Sequence, residues 1–211
     1  MNKIIFHVGP GKTGTSYLQK VLFDNVDYLL SEDVFFPVVV GATEKSNSKY
    51  LYNGGLLNVL EDLHNLNVDV IISAEEISLL SNEDLGLLMH LSSNFFEVHV
   101  VAFVRSLPKW LFSNYLQAVK TSGFFRDFST FIKIGFAQKS TPIHFLCELL
   151  KLNISGEIHI CNYEERENVH ELFFDTLNKI LQKNIDISFS KEKVNLSLNE
   201  NQLKLMLLIN K

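Results

Sequence analysis

Short apolar runs rich in Val, Ile and Phe alternate along this chain with stretches whose apolar positions recur every three or four residues. Runs of the first kind predict strands at Lys3 to Val8, Val34 to Val40, Val68 to Ser73, Glu97 to Val104 and Gly156 to Tyr163. Pro37 cannot donate to a ladder, so the second run is an edge strand or a broken segment. The other four lack polar alternation, as central parallel strands buried on both faces do. Helices are predicted between them. One begins near Gly14, with Tyr17, Leu18, Val21 and Leu22 on one face. Ser81 and Asp84 cap a second that runs to Ser92. Thr141-Pro142 precedes a third over His144 to Leu152, and periodicity marks Glu164 to Leu181. Ser197-x-x-Glu200 reads as a capping box before Leu203, Leu205, Leu207 and Leu208, in a last helix that stops at Lys211 without a cap. This alternation predicts an α/β fold in three layers, with a central, mainly parallel sheet of about five strands flanked by helices. No repeat, low-complexity tract or linker divides residues 1–211, so a single domain is expected. Gly41 to Gly55 and Thr121 to Asp127 are polar and turn-rich, and read as loops.

Composition narrows the function classes. A chain of 211 residues, 46% apolar and 20% charged, can bury a full core, and its 17 phenylalanines should help fill it. A formal charge of −5 argues against a general nucleic-acid binder but leaves room for a local basic pocket. No basic leader precedes an apolar stretch, and no run reaches membrane-spanning length, so neither a signal peptide nor an integral membrane segment is expected. Cys147 and Cys161 stand apart from each other and from any ligand motif. Two buried thiols, no metal site and a cytoplasmic setting are the simplest expectation.

The chemistry concentrates in Gly9-Pro10-Gly11-Lys12-Thr13-Gly14-Thr15-Ser16, between the first strand and the first helix. A turn of this kind aims unpaired backbone N–H groups and the positive end of the helix dipole at one place. Lys12 adds a charge, and Thr13, Thr15 and Ser16 add hydroxyls, which together make a cradle for phosphate or sulfate. Spacing argues against two familiar uses. Gly9-x-Gly11-x-x-Gly14 matches a dinucleotide fingerprint, but Glu32 and Asp33 precede the second strand instead of ending it. Gly11-Lys12-Thr13 matches the end of a Walker A loop, whose first glycine would fall at Phe6.

A second anchor is Val100-Val101-Ala102-Phe103-Val104-Arg105-Ser106-Leu107-Pro108, a strand ending in arginine before a capping serine and an early proline. The helix that follows carries Leu111, Tyr115, Ala118 and Val119 as its apolar stripe. Ser113 lies about 9 Å along it from Leu107 at about 1.5 Å per residue, so its hydroxyl and Arg105 can share an anion. The alternative for Arg105 is an ion pair with an acidic neighbour.

Gly11-Lys12-Thr13-Gly14-Thr15-Ser16 after a first strand, then arginine at a strand end with serine after seven intervening residues, resembles the sulfotransferases that use 3′-phosphoadenosine-5′-phosphosulfate (PAPS). Ile72-Ser73-Ala74-Glu75 and Asn195-Leu196-Ser197-Leu198 extend the likeness, which is nearer to bacterial and Golgi-type carbohydrate enzymes than to phenol and steroid enzymes. The resemblance implies a P-loop-like nucleotide-binding fold and transfer of a sulfuryl group from PAPS to an acceptor hydroxyl or amine, with a saccharide favoured. It implies that Gly11, Lys12, Thr13, Gly14, Thr15 and Ser16 hold the 5′-phosphosulfate, with Lys12 at the leaving group. Arg105 and Ser113 would hold the 3′-phosphate, Glu75 would be the base with Glu76 as the adjacent alternative, and no metal would be needed. The basic C-terminal loop of the phenol enzymes is missing here. Two rivals stay open: a small-molecule or nucleotide kinase on a related scaffold, and a non-catalytic nucleotide-binding protein. The histidines lack ligand spacing, and His7, His99 and His159 read as strand residues packed in the interior. Lys109 and Lys120, broadly on the side of Ser113, read as a solvated helix face, with a basic rim as the alternative, and Trp110 as a packing residue, with stacking on a base as the alternative.

Overall fold

The computed structural model describes residues 1–38, 55–135, 142–165, 168–187 and 198–210. Its centre is β1 (Lys3–Val8), an apolar strand paired in parallel on one side with β3 (Asp69–Ser73) and on the other with β4 (Glu97–Val104). Ile5 faces Ile71 and His99 across these ladders, and His7 faces Ser73 and Val101. Outside them lie β2 (Val34–Phe35) and β5 (Ile158–Asn162), giving a five-stranded parallel sheet in the order β2-β3-β1-β4-β5.

Side chains alternate across a strand, so β1 supplies both faces of the sheet. Ile4, Phe6 and Val8 point into a core closed by α3 (Gly55–Asn65), α4 (Asn82–Ser92) and α7 (Pro142–Leu149), through Leu60, Leu88 and Phe145 among others. Ile5 points into the opposite core, closed by α1 (Thr15–Asp24), α2 (Val26–Ser31) and α8 (Val169–Leu181), through Leu18, Leu29 and Phe173. These are the three layers expected. The remaining helices are α5 (Leu107–Thr121), α6 (Phe128–Gly135) and α9 (Glu200–Ile209). Asn210 docks the end of α9 by donating to the carbonyls of Val119 and Phe124, which close the end of α5. No described helix is long and apolar enough to cross a membrane.

Several expectations need correction. The run from Val34 forms a strand over only two residues, an edge strand as Pro37 foretold; residues 39 and 40 lie outside the described chain. The strand at Ile158–Asn162 is not buried on both faces. It is the opposite edge of the sheet, and Ile160 is 46% exposed. The fourth helix begins at Val169, not Glu164, because residues 163–165 form a turn in which the Glu164 N–H donates to the side chain of Asn162. The third ends at Leu149, short of Leu152, and Thr141 lies outside the described residues. The capping box of the last helix is Asn199 with Gln202, whose side chains each accept from the other's backbone N–H. Ser197 lies outside the described residues, as do residues 41–54 of the expected loop. The Ser81 cap and the end of its helix at Ser92 stand as read. Cys161 is buried beside the Thr176 hydroxyl, but Cys147 is exposed, since it lies on the face of α7 turned from the core that Phe145 and Leu149 enter.

Candidate functional site

Because β1 lies between β3 and β4, the loops leaving these three strands meet at one carboxyl edge, where the chain switches sides of the sheet. The loop after β1 brings Gly11 to Ser16, the turn after β3 brings Glu75, and the end of β4 brings Arg105. With α5 as a further wall they enclose a cleft of about 620 Å³. Of the residues singled out above, Gly11, Lys12, Gly14, Thr15, Ser16, Glu75, Arg105 and Ser113 all line it.

The loop is held in shape by left-handed backbone at Lys12 (φ 77°) and Gly14 (φ 79°). A lysine rarely adopts this region, so the surrounding contacts must fix it. Trp110 Nε1 donates to the Gly11 carbonyl at 2.9 Å, and Arg105 Nη1 donates to the Lys12 carbonyl at 3.3 Å. Thr15 and Ser16 then open α1, where first-turn N–H groups have no partner inside the helix. Thr13 departs from its expected place. Its side chain is wholly buried and donates to the Pro10 carbonyl at 3.0 Å, so the hydroxyl braces the turn and does not face the cleft.

Gly14 is required twice over. A Cβ there would stand 2.9 Å from the Tyr163 ring, on backbone that favours glycine. Gly14→Ala is expected to cost about 2–4 kcal/mol and to lower Tm by about 5–10 °C in a thermal melt. Gly86→Ala, where a Cβ meets nothing within 4 Å, serves as the control and should be neutral or stabilising. An unchanged Tm in Gly14→Ala would show that the loop does not need this conformation.

Glu75 opens a 3₁₀ turn (Glu75–Leu79) directly after β3, and the Ala74 N–H ties that end of the strand to the His7 carbonyl. Its Oε2 lies 3.6 Å from where a Gly11 Cβ would stand, which places the carboxyl over the loop. Burial, and then the charge of Glu76, push the Glu75 pKa above the ordinary carboxylate value against the opposing pull of Lys12. Burial lowers Lys12 from its ordinary value; Glu75 opposes this and Lys120 adds to it. Glu76 does not line the cleft, and its Oε2 is buried with no hydrogen-bond partner among the described residues.

Arg105 directly follows β4. It lines the cleft with Ser113 and also pairs with an acidic neighbour, Glu164, its Nε lying 3.4 Å from the carboxylate. Its guanidinium carbon lies 5.2 Å from the centroid of the Tyr163 ring. Ser106 holds the N-cap position of α5 but makes no capping bond. Its hydroxyl donates to Glu164 instead, at 3.2 Å. His7 is a core residue as read: its Nδ1 lies 2.7 Å from the Ser73 hydroxyl, and burial lowers its pKa to about 3.

Five contributors were missed or given another role. Lys120 is exposed on its helix face and also lines the cleft, and Gln117 joins it. Ser113, Gln117 and Lys120 follow the i, i+4, i+7 spacing of one helix face, so this signal was available. Trp110 acts through its indole N–H as a brace on the loop. Tyr163 and Glu164 leave no local sign. The last segment of the family likeness falls outside the described residues except for Leu198, which lines the cleft.

No protein-family model matches this chain, and no curated protein matches it. Among solved structures it is similar to a candidate kinase from Chloroflexus aurantiacus, at 11% identity and a TM-score of 0.42 over 86% of this chain and 96% of that one. It is also similar to a protein of the PezAT chromosomal toxin–antitoxin system of Streptococcus pneumoniae, at 11% identity and a TM-score of 0.40 over 99% and 84% of the two chains.

Proposed function

We propose that the chain is a PAPS-dependent sulfotransferase acting on an acceptor hydroxyl or amine, with a saccharide as the favoured acceptor class. One observation carries the reading: Lys12 with Thr15 and Ser16, Arg105 with Ser113, and Glu75 all line the same cleft. The donor set suits a ligand with two separated anions. One end meets a lysine and a helix N-terminus, and the other meets an arginine whose planar fork matches phosphate. The donor supplies an activated sulfuryl group, and the residues of the chain do the positioning. Lys12 and the opening of α1 stabilise negative charge at the leaving oxygen, while Arg105 and Ser113 anchor the far phosphate. Glu75, raised by burial, accepts the acceptor's proton from its place beside the loop. Asn114, Gln117, Lys120 and Thr121 add polar lining beside Tyr17, Leu116, Tyr163 and Leu198, and suit a hydroxyl-bearing acceptor.

Calorimetry with 3′,5′-diphosphoadenosine, ADP and ATP tests the reading. The 3′-phosphate is expected to improve affinity by about tenfold or more, as a charge-assisted bidentate contact should. ATP binding that ignores the 3′-phosphate would overturn it in favour of a kinase. A preference for the 3′-phosphate with no sulfated product from a glycan screen would leave a binding protein.

A further inference from the structure

Glu164, which takes no part in the proposed reaction, binds the cationic groups at the opening of α5. Its carboxylate accepts from Arg105 Nε at 3.4 Å and Ser106 Oγ at 3.2 Å, and pairs with Lys109 Nζ at 3.2 Å. The Lys12 carbonyl takes one Nη1–H of the same arginine, and Tyr163 lies near the guanidinium. A guanidinium has five N–H donors. Two are engaged among the described residues, and those that remain are all on the Nη nitrogens.

Taking Arg105 as the ligand of the 3′-phosphate, as proposed above, we infer that Glu164 is a positioning residue for it. Its carboxylate fixes the Nε edge of Arg105 so that the Nη donors are presented to the cleft, and it holds Lys109 aside. The phosphate is then bound by one oriented fork and not by a diffuse basic patch.

Two effects of removing Glu164 oppose each other. Losing the carboxylate frees Arg105 to rotate, which weakens a bidentate contact that depends on its plane. It also removes a negative charge near the phosphate, which strengthens binding. The second effect is the smaller. The charge of Glu164 is already matched by Lys109, which is 63% exposed, so water and salt screen what its release adds. Burial would raise Glu164, but bonds from Lys109, Ser106 and Arg105 outweigh it and hold the carboxyl below the ordinary range. The contact therefore persists across neutral pH.

The test is calorimetry of wild type, Glu164→Ala and Glu164→Gln with 3′,5′-diphosphoadenosine and with 5′-AMP, which lacks the 3′-phosphate. Glu164→Ala is expected to weaken diphosphoadenosine binding about tenfold and to leave 5′-AMP within about twofold. Glu164→Gln keeps an oxygen that accepts from Nε and Ser106, and should return to within about threefold of wild type. Equal losses for both ligands would overturn the inference, because they mark a merely structural role. Unchanged or tighter diphosphoadenosine binding in Glu164→Ala would also overturn it, the tighter case making Glu164 a competing internal anion. A wild-type protein that fails to distinguish the two ligands would instead overturn the reading of the cleft itself.

Discussion

Removing the Lys12 ammonium is expected to lower sulfuryl transfer about 10³-fold, the scale of losing one preorganised donor to a developing charge. Lys12 lies in the cleft beside Glu75, where burial destabilises its charged form. A charge held at that cost interacts more strongly with the leaving oxygen than a solvated one would. Alanine alone is an ambiguous probe, since φ 77° is strained for any residue with a Cβ. Lys12→Gly separates the effects. Glycine suits the left-handed turn, so Tm should hold or rise while turnover falls as far as in Lys12→Ala. Single-turnover measurement with PAPS and a glycan acceptor found by screening would check this. Wild-type rates in Lys12→Gly would remove the lysine from the transition state.

Glu75→Gln should cost about 10²–10⁴-fold in turnover, the range of a general base, with little change in diphosphoadenosine affinity. A base must be ionised to act, so the acid limb of kcat/KM should lie above the ordinary carboxylate value and vanish in the variant. The same shift has a stability consequence of definite sign. A carboxyl whose folded pKa is raised binds protons more tightly when folded, so the folded state loses stability as pH rises from the unfolded pKa through the folded one. Glutamine escapes this loss. Glu75→Gln should therefore melt higher than wild type at pH 7, and the gap should close as pH falls below the ordinary carboxylate range. A flat pH profile in the wild type, or a variant with full activity, would dismiss Glu75 as the base.

The central strands were legible because each is covered on both sides, so its apolar run states its environment directly. Lys3–Val8 and Glu97–Val104 have the bounds that their runs predict. Ile158–Asn162 misled for the converse reason. Its composition resembles a central strand, but nothing in a strand's own residues records whether a neighbour lies beyond it. Lys12, Glu75 and Arg105 were readable because strand ends at the carboxyl edge of a parallel sheet meet by topology. What escaped were bonds between distant segments. Ser106 looks like a helix cap locally, yet Glu164 competes successfully for its hydroxyl. Thr13 looks like a ligand donor, yet the absence of a side chain at Gly9 lets it turn inward: a Cβ there would come within 2.7 Å of its Oγ1.

Trp110 and Arg105 grip the carbonyls of Gly11 and Lys12, so two segments some ninety residues apart in the chain move as one piece. In the reading proposed above, these two bonds make the cleft a ruler for the separation of a ligand's charges.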